Sequence, residues 1–262
     1  MSAAKKDWEL AIDERELELL TRDMEEAHRQ TLPAMQAGSV ELVEEIRTLD
    51  ASRRRFLAGA GIAAAGTALA MAAGAGVPKA FATGRARAVV AAPSPYVGDS
   101  RVVALAAALE NQAVGAYGAA LKAAGAGKLG KVPPAVGAFA KTAMGQHAAH
   151  AKAWNAVLTG AGKPAVSGVP LSNQPATLKA LGQAKDVGAV ARLALALEDQ
   201  AAQTYLFAAG NVASPGGIRT AASIAPVEAM HAAILHFVLG EYPVPDAFLQ
   251  TDKAAKPALL TV

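Results

Sequence analysis

The stretch EAMHAAILHF, residues 228–237, puts a carboxylate and an imidazole three positions apart in an otherwise apolar run. On a helix, Glu228 and His231 share one face. A buried charge is costly unless it is paired or bound to a metal, so this pair needs partners. The chain offers them sparingly. After residue 82 it has only four glutamates (Glu110, Glu198, Glu228, Glu241) and four histidines (His147, His150, His231, His236). Two octapeptides repeat a pattern around two of those glutamates: ENQAVGAY at 110–117 and EDQAAQTY at 198–205. In each, a Glu and a Tyr stand seven apart, two helical turns along one face. His147 and His150 add a second pair at the i, i+3 spacing. His236 falls five after His231, on another part of the helix surface, and is read as a non-ligand.

The elements that carry these residues read as helices. DSRVVALAAALENQAVGAYGAALKAA starts at Asp99 or Ser100 as N-cap and stops in a Gly-rich turn. PAVGAFAKTAMGQHAAHAKAWNAVLTG follows a Pro-Pro start and ends at Gly160. DVGAVARLALALEDQAAQTYLFAAG runs from Asp186 to Gly210, and PGGIRTAASIAPVEAMHAAILHFVLG ends at Gly240 with Pro226 inside it. Strand signals are weak throughout. Four helices of this length predict an all-α four-helix bundle over 97–240. The first and third connections are short. The second, about 161–185, is long and polar, with a helical turn expected near Leu178, and lets bundle helices two and three run parallel as a crossover.

Aligned in this way, the pattern resembles the ferritin-like superfamily of carboxylate-bridged di-metal proteins, and within it the secreted branch of bacteria that carries a twin-arginine signal. Those proteins place a Glu on each of two helices and a Glu-x-x-His on each of the other two. By that resemblance Glu110, His150, Glu198, Glu228 and His231 match metal ligands, and His147, which stands where the family has the first Glu of its second motif, is read as the sixth ligand. The resemblance implies a ferritin-like bundle and two iron ions, with manganese or zinc as alternatives, since imidazole and carboxylate together suit all three. It also implies an oxidase, ferroxidase or peroxide-reacting activity. A metal-binding or storage protein without turnover, and an envelope scaffold with a vestigial site, stay open beside it. Tyr117 and Tyr205 are candidates for orienting ligands or donating an electron, or are core residues whose hydroxyls find a partner. Gln112 and Gln200 pack between helices or brace a ligand. The bland alternative for His147 and His150 is a surface position beside Lys141 and Lys152. Trp154 is read as core.

With His147 in place of a glutamate, three carboxylates face two divalent ions and leave one positive charge in excess. One bridge is lost too, because imidazole does not bridge two metals as a carboxylate does. A weaker second metal, or a hydroxide or oxide that supplies the missing charge, is the expectation.

Ahead of the bundle lie two further segments. Residues 1–50 carry 6 Lys/Arg against 13 Asp/Glu and read as an acidic helical extension. Trp8, Leu10, Ile12, Leu17, Leu19, Leu20 and Met24 are among its apolar residues. The extension is either solvated or a docking element for a cytoplasmic partner. Residues 51–82 resemble a twin-arginine export signal. Ser52-Arg53-Arg54-Arg55-Phe56-Leu57 matches the core motif, an uncharged Ala/Gly-rich stretch runs to Pro78, and Ala80-Phe81-Ala82 offers a cleavage site. The partner implied is the twin-arginine translocase, with export to the periplasm or cell envelope. The long leader leaves open an uncleaved, membrane-anchored form, and a homodimer is also expected. Residues 83–96 read as a linker and 241–262 as a C-terminal tail. Residues 83–262 carry 15 Lys/Arg against 9 Asp/Glu without a cluster, which argues against nucleic acid as a partner. The chain has no cysteine, so thiolate metal sites, iron–sulfur clusters and a built-in rubredoxin module are excluded.

Overall fold

The computed structural model describes residues 13–71 and 94–262, with 53–71 described for the backbone only. Trp8, Leu10, Ile12, the Ala80–Ala82 cleavage site and most of the 83–96 linker lie outside the described residues. Among the described residues six α-helices follow in order: α1 (Glu14–Met71), α2 (Asp99–Gly125), α3 (Pro134–Gly160), α4 (Gln174–Gln183), α5 (Val187–Asn211) and α6 (Pro215–Val238). No strand occurs among the described residues, only an isolated antiparallel bridge between Leu171 and Leu260.

Most helix ends are where the sequence puts them. Asp186 caps α5 by accepting a hydrogen bond from the Ala189 N–H, and Ser214 caps α6 through Gly217. The start of α2 differs. Gly98, at φ 57°, holds the cap position. Ser100 instead closes a turn on Val97, and Asp99 reaches across to accept from the Ser214 N–H at 3.1 Å. The turn expected near Leu178 is α4, within the long connection.

Two apolar clusters fix the directions of the helices. One gathers Leu42, Ile46, Leu105, Leu109, Trp154, Leu158, Tyr205 and Ile224. The other gathers Leu17, Met24, Tyr117, Phe139, Ala191, Leu235 and Val238. Chain order shows that α2 and α6 run from the first cluster to the second, while α3 and α5 run the opposite way. Bundle helices two and three are therefore parallel, joined by the crossover that contains α4. Between the clusters lies a polar layer containing Glu110, His147, His150, Glu198, Glu228 and His231, all buried.

α1 is a fifth helix of this assembly. It packs along α6 and α3, which scarcely touch each other. Its buried residues, Leu17, Thr21, Met24, His28, Met35, Gly38, Leu42 and Ile46, step mostly by four and three, the seam of a helix laid along another helix. Leu19 points away and is exposed. At one crossing the backbones of α1 and α6 meet so closely that a Cβ on Gly216 would lie 2.6 Å from the Gly38 carbonyl oxygen. The acidic residues of α1 serve the N-termini of its neighbours, where backbone N–H groups lack partners. Glu14 accepts from Ala135 N–H at 3.3 Å and Glu45 from Gly216 N–H at 3.3 Å. Asp50 pairs with Lys163 at 2.5 Å, and Glu41 pairs with Arg219. The segment is thus packed rather than solvated along this length, and its partner is the chain's own bundle. α1 continues without a break through Ser52 and the arginine run to Met71.

The C-terminal tail also returns to the bundle. Arg101 donates to the Pro257 and Leu260 carbonyls, and Ala255 and Leu260 are buried. Of the described helices, only α6 is long and apolar enough to cross a membrane, and here it is mostly buried inside the bundle.

Candidate metal centre

Helical spacing brings the six sequence candidates to one place. Glu110 comes from α2, His147 and His150 from α3, Glu198 from α5, and Glu228 and His231 from α6. Their ligand atoms form two overlapping groups, each lying within 4.8 Å of one another: Glu110, His147, His150 and Glu228, and His147, Glu198, Glu228 and His231. His147 and Glu228 belong to both. The surface reading of His147 and His150 does not hold, since both are fully buried. His236 lies apart and bonds Glu241 at 2.7 Å.

The repeat turns out to be a crossed brace. The Tyr117 hydroxyl donates to Glu198 Oε1 at 2.6 Å, and the Tyr205 hydroxyl donates to Glu110 Oε1. Each tyrosine therefore steadies the glutamate of the other octapeptide. Burial and the facing carboxylates, Glu198 for Tyr117 and Glu110 for Tyr205, push both phenols well above their usual range, so both are donors. Trp154 is core, as expected, and its indole N–H donates to the Tyr205 hydroxyl at 2.8 Å. Gln112 and Gln200 do not brace ligands. Gln112 donates to Gln174 at 2.8 Å at the start of α4, and Gln200 reaches the Lys253 carbonyl at 3.4 Å.

His147 sits across the middle of the site. Its Nδ1 is 2.7 Å from Glu110 Oε2 and its Nε2 is 3.0 Å from Glu198 Oε1. Burial would lower its pKa, but Glu198, Glu228 and Glu110 outweigh burial and raise it well above the usual value. In the same way Glu110 and Glu228 carry His150, against burial, up to about 9, and Glu198 and Glu228 raise His231. The converse holds for the acids. Burial would raise Glu110, yet His150 and His147 hold it down at about 2, and His147 and His231 hold Glu198 well below its usual value.

Orientation distinguishes a ligand set from a hydrogen-bond network. His231 presents Nδ1 to Glu228 at 3.1 Å and to Glu198 at 3.3 Å, while its Nε2–H donates outward to Gln146 Oε1 at 2.8 Å. That outward bond sets the tautomer that leaves Nδ1 free for a metal. His150 Nδ1 stands 2.9 Å from Glu228 Oε1, yet the angle is wrong for a hydrogen bond and both atoms are buried without a partner. Buried polar atoms are rarely left so. Three carboxylates and three imidazoles converging in a buried layer, one pair of them close but without hydrogen-bond geometry, are donors that a cation would satisfy, so the residues fit a metal.

Three contributors were not among the sequence candidates: Gln146, Glu25 and His28. Gln146 links its Oε1 to His231 and its Nε2–H to Glu25 of α1 at 2.6 Å. His28, also on α1, lies with its ring centre 5.2 Å from that of His150. Burial and then the neighbouring His150 lower its pKa to about 4, so it is neutral. Gln146 could have been found as the polar residue next to His147 on a buried face, and His28 as an ionisable group in the apolar seam of α1.

On the α2–α5 side the wall thins. A small cleft lined by Leu109, Gln112, Ala113, Leu197 and Ala201 reaches Glu110 and His147. A family model described as a ferritin-like domain matches residues 98–241. No curated protein and no solved structure matches the chain.

Proposed function

The chain belongs to the ferritin-like family, and from that premise we propose that it is an exported protein that holds two divalent metal ions, iron foremost, and reacts with oxygen or peroxide. The observation that carries the metal reading is the convergence of His150 Nδ1 and Glu228 Oε1 in a buried layer of three glutamates and three histidines. Glu110, His150 and Glu228 would hold one ion, and Glu198, Glu228 and His231 the other, with His147 between them. Bound redox-active ions would supply electrons for reduction of a small oxidant. The chain's own contribution is positioning and enclosure. Tyr117 and Tyr205 fix the two carboxylates, the apolar clusters keep bulk water out, and a narrow cleft between α2 and α5 is lined in part by Glu110 and His147. Anaerobic loading with ferrous iron should give close to two ions per chain by elemental analysis, followed by a rapid absorbance change on adding oxygen. Iron that binds but does not change points to storage, and a stoichiometry of zero sinks the metal reading.

One observation favours a second reading, a scaffold with a vestigial site. His147 as imidazolium already satisfies Glu110 and Glu198 without any metal. In that case no divalent ion binds at neutral pH, and the protein is as stable with chelator as without.

Export rests on the Ser52–Leu57 motif. A segment ahead of that motif stays on the cytoplasmic side while the bundle crosses, so α1 docked on α3 and α6 belongs to the form before transport. The absence of cysteine makes this testable. A Cβ built on Gly160 lies 3.7 Å from the Val43 Cβ, inside the disulfide range of about 3.5–4.5 Å. In V43C/G160C, oxidised with a chemical oxidant before uptake into inverted membrane vesicles is assayed, the lock should block transport, and reduction should restore it. Export that is indifferent to the lock overturns this topology.

A further inference from the structure

The outer nitrogens of the two terminal histidines both face α1. His231 turns Nδ1 to Glu198 and Glu228, and its Nε2–H runs through Gln146 to Glu25. His150 turns Nδ1 to Glu228, 2.9 Å away, and to Glu110, 3.6 Å away. Its Nε2 is buried with no hydrogen-bond partner. The neighbour on that flank is His28, whose ring stands edge-on to His150 at 67° and whose Nε2 is likewise buried without a partner. Glu25 and His28 are three apart on α1 and so share a face. His28 lies outside both groups of converging ligand atoms.

We infer that Glu25 and His28 are positioning residues of the metal centre, one acting on His231 through Gln146 and the other on His150, and that metal binding and docking of α1 are therefore coupled. The inference rests on the metal reading above. Metal-bound histidines nearly always donate their second ring N–H to an outer acceptor, and loss of that acceptor weakens binding. For His231 that acceptor is Gln146 Oε1, held in turn by Glu25, and His28 is the polar group beside the unpartnered Nε2 of His150. Coupling is reciprocal: whatever factor docked α1 adds to metal affinity, bound metal adds to docking. The N-terminal helix is then part of the site, and a bundle parted from α1 holds metal less tightly.

The test uses the full chain and cobalt(II), whose visible spectrum reports ligand geometry. Glu25→Ala and His28→Leu should each weaken cobalt binding about 10–100-fold and alter the spectrum. Glu25→Gln, which keeps an acceptor for Gln146, should recover most of the affinity. His28→Leu fills an apolar seam, so a purely structural His28 predicts unchanged binding and an unchanged or higher unfolding midpoint in the metal-free protein. Hydrogen exchange over 17–46 should slow on adding cobalt to the wild type, and less in the double variant. Glu228→Ala serves as the control. If it loses cobalt while Glu25→Ala and His28→Leu bind as the wild type does, the metal reading stands and this inference falls. If the wild type binds no cobalt, both fall.

Discussion

The two halves of the bundle place the same kinds of residue around the site except at one of the six positions. α2–α3 contributes Glu110 and His147-x-x-His150, and α5–α6 contributes Glu198 and Glu228-x-x-His231. The tyrosine braces cross between halves with matching partners. What differs is His147 opposite Glu228, the two residues shared by both groups of ligand atoms. Glu228 faces His150, His231 and His147 at 2.9, 3.1 and 3.7 Å, and His147 faces Glu110 and Glu198 at 2.7 and 3.0 Å. One is a carboxylate among imidazoles and the other an imidazole among carboxylates. The asymmetry makes the layer nearly self-neutralising with protons, so a metal has to displace them.

Removing the carboxylate of this opposed pair should have the largest effect. Glu228→Ala leaves three buried imidazoles short of an anion, and breaking a buried charge pair in this way costs about 3–5 kcal/mol. The unfolding midpoint in urea should fall accordingly, and metal binding should be lost. His147→Glu makes the halves alike and moves the balance the other way. Four carboxylates then face two imidazoles, so the metal-free protein should lose about 3 kcal/mol or more. The affinity for divalent metal should rise at least about tenfold, or 1.4 kcal/mol. Calorimetric titration of both proteins checks this; an affinity that falls in His147→Glu would show that the imidazole is itself a needed ligand.

Titration sharpens the same point without mutation. In the metal-free protein His147, His150 and His231 have raised values. The stability they confer is fully present below the unfolded value of 6.5 and is lost as pH rises through the folded values, about 9 for His150. Glu110 and Glu198 are depressed, so their share is present above 4.5 and is lost as pH falls through the folded values, about 2 for Glu110. His28, lowered to about 4, works the other way and costs stability as pH falls below 6.5, so the metal-free protein should be most stable near pH 6.5. Metal replaces the protons, so the loaded protein should keep its stability on the alkaline side and metal affinity should climb with pH. Urea midpoints at pH 5.5 and 9, with and without manganese, measure the divergence. Parallel curves would count against proton–metal exchange.

The fold and the buried cluster of six glutamates and histidines were legible because helical periodicity and scarce ionisable residues act over short sequence distances. Glu110, Glu198, Glu228 and His231 stand out in a domain with few other acids or histidines. The role of α1 was not legible. Its seam looks like any amphipathic helix until its partner is known, and Glu25 and His28 gain meaning only from Gln146 and His150, more than a hundred residues away. The cap of α2 was misread for a related reason. Asp99 is a good local capping residue, but a tertiary partner, the Ser214 N–H, takes its carboxylate.

The tyrosines give the smallest and finest test of the symmetry. Tyr117→Phe removes one charge-assisted hydrogen bond to Glu198, worth about 1.5–3 kcal/mol in a buried site. Tyr205→Phe removes the equivalent bond to Glu110 and also leaves the Trp154 indole N–H, now bonded at 2.8 Å, without an acceptor. A stranded buried donor adds about 1–3 kcal/mol. The two substitutions delete the same atom from the same repeat, so the difference between their urea midpoints isolates the tryptophan link. Tyr205→Phe should be the more destabilising, and Tyr205→Phe combined with Trp154→Phe should recover part of the loss, because the indole N–H goes with its partner. Equal effects of the two single substitutions would mean that the Trp154 bond contributes nothing, and that the halves are alike in energy as well as in pattern everywhere but at His147.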